Sequence, residues 1–204
     1  MGAAATDSAD SFAAVSLAAH KLIKTIEIGA DVAAMSIDAF ESFIVEALAK
    51  KMAKAIENAI VNGTGSGQPT GLLLAGQITQ TGTYTKAKMK YSDLAKIMAL
   101  LPTSYHPNAA FCMPRKLFFE EVLGLETTDG APAVVVDAQA PAKFNILGYP
   151  VIISDFVGTD KILFGDFSYY YLNWSKPIEI RPSEEAAFRT GSVVYRSLAL
   201  LVVS

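Results

Sequence analysis

The feature that most constrains this chain is a long run of apolar residues at helical spacing that ends in a dense cluster of glycines. From Ile37, the residues Phe40, Ile44, Leu48, Met52, Ala55, Ile56, Ala59 and Ile60 recur at three- and four-residue steps, the period that gathers side chains on one helix face. A helix from Ile37 to Val61 would be roughly 37 Å long, which suits a spine better than a connector in a compact enzyme. Ser36 is the expected N-cap, with Asp38 and Glu41 in the first turns and Lys50, Lys51 and Lys54 toward the other end, as the helix dipole favours. Asn62-Gly63 is expected to provide a left-handed exit.

The glycine-rich stretch follows this helix rather than preceding one, and the order matters. A phosphate is held by backbone N–H groups at a helix start, whereas the C-terminal end repels anions. The stretch also lacks the Gly-Lys-Ser/Thr ending of a P-loop and the strand-before, helix-after setting of a dinucleotide fingerprint. Nucleotide binding is therefore excluded from the reading.

Two sets of residues resemble one family. The first is Glu57, then Asn62-Gly63, Gly65, Gly67, Gln68-Pro69 and Gly71-Leu72-Leu73, within the span from Ile28 through Leu74. The second is Ile146-Leu147-Gly148-Tyr149-Pro150-Val151, then Ser154-Asp155, Phe164-Gly165-Asp166-Phe167 and Tyr169-Tyr170-Tyr171. In this order they resemble the tailed-phage major capsid proteins of the Hong Kong 97 type, a likeness that covers the chain from about Phe12 to Tyr195. Thr64 stands where that family usually carries an aspartate.

The resemblance implies an α+β fold of two discontinuous lobes. Residues 1–90 and 175–204 would form a peripheral-type domain with an extended-loop stub and the spine helix at about 36–62. Residues 91–174 would form an inserted axial-type domain. The implied function is that of a major capsid subunit, in hexamers and pentamers of itself, forming an icosahedral shell around phage double-stranded DNA. Implied partners are a scaffolding protein, a maturation protease, a portal and, through non-specific contact, the packaged DNA. The virion is the implied location, after synthesis in the bacterial host cytoplasm. An encapsulin-type nanocompartment shell is the alternative within the same fold. A small α+β hydrolase using aspartate carboxylates is the distant one.

Composition agrees with a packed structural protein. The 204 residues are 51% hydrophobic and 18% charged, with a formal charge of −3, enough apolar content for a sizeable core. A pI near 5.4 and the absence of a dense Lys/Arg run argue against sequence-specific nucleic-acid binding, which needs cations for phosphates. One cysteine, Cys112, excludes an internal disulfide. The longest apolar run, Leu198 to Val203, is far shorter than the roughly 20 residues of a membrane span, so no membrane partner is expected. The opening Met1-Gly2-Ala3-Ala4-Ala5-Thr6-Asp7 has no signal-peptide pattern and reads as a flexible end, consistent with truncation.

Beyond the spine, a second helix is expected from Ser92 to before Pro102, with Leu94, Ile97, Met98 and Leu101 inward, and a third from Pro114 to Gly124. Strands are expected at Ala110 to Met113, Val134 to Val136, Val151 to Ser154, Lys161 to Phe164, Tyr169 to Leu172 and Ile178 to Ile180. There is no internal repeat.

No catalytic, cofactor-binding or metal-ligating residue is assigned. His20 and His106, the only histidines, lack neighbours at metal-ligand spacing. Cys112 sits in an apolar strand, where thiols are inert. Asp137, Asp155, Asp160 and Asp166 occupy turn settings, where aspartate hydrogen-bonds the backbone. The aromatics Phe164, Phe167, Tyr169, Tyr170, Tyr171 and Trp174 lack accompanying cations, so a core or subunit contact is expected rather than base stacking.

Some members of the resembled family join subunits by a lysine–asparagine isopeptide bond, with the lysine on an extended loop upstream of the spine. Only a stub, roughly Phe12 to Ile28, precedes the spine here, so no cross-linking residues are assigned. Without that loop and an N-terminal arm, these 204 residues are expected to stay monomeric or to form small, weak oligomers. Tyr169 to Tyr171 and Leu198 to Val203 are the patches expected to lie uncovered.

Overall fold

The computed structural model describes residues 18–29, 37–74, 76–85, 88–127, 129–136 and 143–203. Its organising element is helix α1, Ile37–Asn62, whose 26 residues span about 39 Å. The apolar period therefore marks the C-terminal end to within a residue. Ser36, the expected cap, lies outside the described residues. The lysines do not complement the C-terminal dipole as expected, because the last turn carries no basic residue and the effect fades within a turn.

The first half of α1 lies on a three-stranded antiparallel sheet. Its strands are β1 (Ala18–Gly29), β7 (Leu172–Ser183) and β8 (Ser192–Val203), in the order β1-β8-β7. β1 and β8 pair without interruption from Ala18↔Val203 to Gly29↔Ser192. Ile44 and Leu48 of α1 are buried against Ile28, with Ile26, Ile180 and Tyr195 closing around them. Side chains alternate along a strand, so Ser197, Ala199 and Leu201 share the Tyr195 face, and all three are buried.

This corrects one expectation. Leu198 to Val203 is not an uncovered end but half of the central strand, hydrogen-bonded on both sides by segments more than a hundred residues upstream (β1) and one hairpin away (β7). The segment expected as a loop stub contains β1, and the rest of that stub lies outside the described residues.

The second sheet has five strands: β2 (Ala110–Met113), β3 (Val134–Val136), β4 (Phe144–Ile146), β5 (Tyr149–Ile153) and β6 (Leu163–Gly165), ordered β3-β4-β5-β2-β6. Only β2 and β5 run parallel. β2 lies between β5 and β6 and is buried along its whole length. Its Phe111 and Met113 pack with Leu94 of α2 (Tyr91–Ala99) and with Leu117 of α3 (Arg115–Leu117). The helical path of α3 continues as a π-turn, Phe118–Val122, that adds Phe118 and Val122 to the same core. Pro114 stands extended just before this third helix, whose first helical residue is Arg115, and the helical path ends two residues before Gly124. Tyr169 to Leu172 is not the expected strand: a 3₁₀ turn, Phe167–Tyr169, occupies its start, because the Asp166 side chain accepts the Ser168 N–H and turns the chain.

Candidate functional site

The residues that carried the family resemblance meet where α1 ends against the second sheet. The glycine-rich loop doubles back on the helix instead of leading away. The Leu72 and Leu73 N–H groups donate to the Ile60 and Val61 carbonyls at 2.8 and 2.9 Å, while the Gly71 N–H donates to Gly63 O at 2.9 Å. Helix C-termini leave four carbonyls without intrahelical donors, and here the returning backbone supplies two.

This return works only with glycine at the crossing. Gly63 has no positive φ, contrary to the expected left-handed exit. What it provides is room, since a Cβ there would lie closer than 3.0 Å to Ala59 O and to Pro69 O and C. Gly71 is confined in the same way by the backbone of Asn62 and Gly63. Positive φ angles occur further along the loop, at Gly65 and Gly67.

Three hydrogen-bonding side chains then lock the junction. Buried Ser154 donates its hydroxyl to Glu57 Oε1 at 2.6 Å, across 97 positions of sequence. Asn62 Nδ2 donates to the Phe156 carbonyl at 2.9 Å and to Asn58 Oδ1 at 3.0 Å. Tyr170 donates its hydroxyl to Thr70 O at 3.2 Å, and burial raises its phenol above the ordinary value. Behind these contacts Val61, Cys112 and Val157 are buried together, with Leu73, Phe156, Leu163 and Phe167 around them. The spine therefore joins two cores, the first sheet through Ile44 and Leu48 and the second through Val61.

The candidate chemistry is consumed by structure. Burial, with a contribution from the Glu57 charge, pushes the Cys112 thiol up to about 11, so almost none is thiolate near neutrality. His106 lies with the opposite face of β2, edge-on to Tyr149 and Phe164, which pack against Phe111, Tyr149 edge-on and Phe164 tilted. Its ring nitrogens are engaged by Tyr149 Oη at 2.8 Å and Leu101 O at 3.0 Å. The carbonyl can only accept, which assigns the ring proton to Nε2. Strand alternation thus separates His106 from Cys112, while His20 is on the other sheet.

Among the described residues the candidate aspartates do not gather. Asp155 is exposed in the 3₁₀ turn Asp155–Val157, and Asp160 lies in the turn before β6. Asp166 accepts the Ser168 hydroxyl and N–H, bonds that hold its carboxyl below the ordinary 3.8. Asp137 lies outside the described residues. Among the described residues no three His, Cys, Asp or Glu side chains form a metal-binding group. No described helix is long and apolar enough to cross a membrane.

The aromatics divide between core and surface. Phe164 packs in the second sheet's core and Phe167 behind the junction. Tyr169, Tyr171 and Trp174 are exposed, and Tyr169 meets Tyr105 edge-on at 5.3 Å.

A spine helix that welds two sheets together, beside a buried Cys112 thiol and a half-buried His106 imidazole held in packing, defines a structural class of protein built to hold shape. The phage capsid family matches residues 1–201, and the chain belongs to that family. It is a major capsid structural protein with the Hong Kong 97-type fold. No curated protein matches it. Among solved structures it is similar to the capsid of an empty GTA particle, at 20% identity and a TM-score of 0.71 over 98% of this chain and 75% of that one. The capsid of the native GTA particle gives the same identity and TM-score, over 100% of this chain and 77% of that one. A structure from Gordonia phage Cozz is similar at 14% identity and a TM-score of 0.61, over 99% and 73%. Neither the nanocompartment nor the hydrolase alternative is favoured by these likenesses.

Proposed function

We propose that this chain tiles an icosahedral phage shell as hexamers and pentamers enclosing double-stranded DNA, and that it catalyses no reaction. The single observation that supports this most is the junction. Hydrogen bonds from Ser154, Asn62 and Tyr170 fasten the second sheet to the end of α1, so that load applied to one lobe is passed to the other through the helix. In this reading residues 1–90 and 175–204 are the peripheral lobe and 91–174 the axial lobe. The protein is made in the host cytoplasm and resides in the virion. A scaffolding protein, a maturation protease and a portal are its proposed partners, and its contact with DNA is non-specific.

The test is sedimentation velocity of the complete gene product, expressed alone and with its neighbouring genes. Megadalton particles support the reading. A monomer under all conditions, with a lone enzymatic activity, would contradict it.

A further inference from the structure

Asn62-Gly63 is the only Asn-Gly pair in the chain; the other asparagines, Asn58, Asn108, Asn145 and Asn173, precede Ala, Ala, Ile and Trp. A glycine nitrogen is the least hindered nucleophile the main chain offers, because no side chain shields its approach to the asparagine carboxamide. The junction requires both residue types: the Asn62 amide donates to Phe156 O, and position 63 has no room for a Cβ.

The closed junction keeps the two groups apart. Asn62 is the last residue of α1, and helical backbone angles turn the next nitrogen out of the plane of a succinimide ring. The Gly63 N–H is held by Ala59 O at 2.9 Å. Gly63 is also buried under the returning loop, so closely that a Cβ on Gly71 would stand 2.3 Å from the Gly63 nitrogen. The carboxamide is held as well, since Nδ2 donates to Phe156 O at 2.9 Å and to Asn58 Oδ1 at 3.0 Å. Asn62 is nonetheless exposed, so water reaches it whenever these bonds part.

We propose that Asn62 is a site of spontaneous deamidation gated by the junction, inert while the loop is closed over Gly63 and converted to aspartate or isoaspartate when it opens. In the open state the Gly63 nitrogen bonds to Asn62 Cγ and gives up its proton, while the Cγ–Nδ2 bond breaks and Nδ2 leaves as ammonia with that proton. Water then opens the succinimide: cleavage at Cγ yields aspartate, and cleavage at the main-chain carbonyl of residue 62 yields isoaspartate. The net change is amide plus water to acid plus ammonia, with no oxidation or reduction.

Either product resists reclosure. An ionised aspartate has no donor for Phe156 O and sets acceptor against acceptor. Its charge lies at the negative end of the α1 dipole, where the last turn carries no basic residue. Isoaspartate adds a carbon to the main chain immediately before Gly63, where the backbone is already crowded. Residue 62 therefore accumulates a covalent record of the time the junction has spent open.

Peptide mass spectrometry of the purified protein, held in warm, mildly alkaline buffer, tests this. The tryptic fragment 55–86 contains both Asn58 and Asn62, so one spectrum reads the site and its control. In denaturant, position 62 should convert while position 58 stays an amide. In the folded protein, conversion at 62 should be slower by about a hundredfold or more, as for other chemistry that waits on local opening. Ser154→Ala leaves the pair intact but removes the bond to Glu57, and should speed folded-state conversion about tenfold with no change in denaturant. Asn62→Asp, which installs one product, should melt below the wild type. Equal rates for the folded and the denatured wild type, or for folded Ser154→Ala and folded wild type, would overturn the gating. No conversion at 62 in denaturant would overturn the site itself, and wild-type melting of Asn62→Asp would overturn the resistance to reclosure.

Discussion

Gly63→Ala is the sharpest probe of the junction, because one methyl group would occupy space held by two backbone segments. The added Cβ would stand closer than 3.0 Å to Ala59 O on the helix and to Pro69 O and C on the loop. Neither neighbour is a flexible side chain, so the loop must lift away. Forcing a methyl into packed structure costs about 1–3 kcal/mol. Lifting the loop stretches the bonds from Gly71 to Gly63 and from Leu72 and Leu73 to the helix, and two such bonds lost add about 2 kcal/mol. The total is about 3–5 kcal/mol. At about 2–4 °C per kcal/mol for a chain of this size, the melting temperature should fall by roughly 6–20 °C. Gly67→Ala is the matched control, since Gly67 has φ +67 and nothing within 4 Å of the place an added methyl would take. It should lose only about 1 kcal/mol, from the left-handed backbone. Calorimetry on both variants decides the matter. A Gly63→Ala melt within about 2 °C of wild type, equivalent to about 0.5–1 kcal/mol, or a greater loss in Gly67→Ala, would refute the close-approach argument.

Ser154→Ala removes the 2.6 Å bond to Glu57 and should cost about 1.5 kcal/mol, toward the lower end for a charged acceptor because Glu57 reaches water; an unchanged denaturation midpoint would count against the clasp. Cys112, with its thiol at about 11 and buried, should react with a thiol reagent near neutrality only as the protein unfolds, whereas rapid labelling of the native protein would show an open junction. Glu46, Asp93, Asp166 and Glu179 are held below their ordinary values by hydrogen bonds from Lys50, Lys96, Ser168 and Lys176 respectively. A folded-state value below the unfolded one stabilises above the unfolded value, and that gain is lost as pH falls through the folded value. The melting temperature should therefore drop below the ordinary 3.8–4.5 range, and Asp166→Asn should flatten part of that drop.

The spine is legible in the sequence because its period is local: each apolar residue of α1 predicts the next three or four positions away. β2 and β3 are legible for the same reason, as short apolar runs between turn residues. Pairing at a distance is not. Leu198 to Val203 reads equally as a loose apolar end or a central strand, and only its partners in β1 and β7 decide between them. β1 itself carries Lys21, Lys24 and Glu27 among its aliphatics, which blurs the alternation that would mark it as a strand.

At the junction the sequence marks the residues but not their roles. The glycines of 63–71 stand out, yet the pattern points to backbone angle at Gly63 rather than to crowding, because crowding depends on where Pro69 returns. Glu57 and Ser154 each belong to a motif, but their hydrogen bond joins segments 97 residues apart and leaves no local trace. The histidine and cysteine can be set aside by spacing alone. That they occupy opposite faces of β2 is a fact of the sheet.

Electron microscopy of particles made by the complete gene product tests the central claim most directly. A reconstruction should show closed icosahedral shells in which each subunit contains a helix of about 39 Å joined rigidly to a three-stranded sheet at one end and a five-stranded sheet at the other. Failure to form shells with the neighbouring genes present, or shells whose subunits lack that helix and its two sheets, would contradict the account.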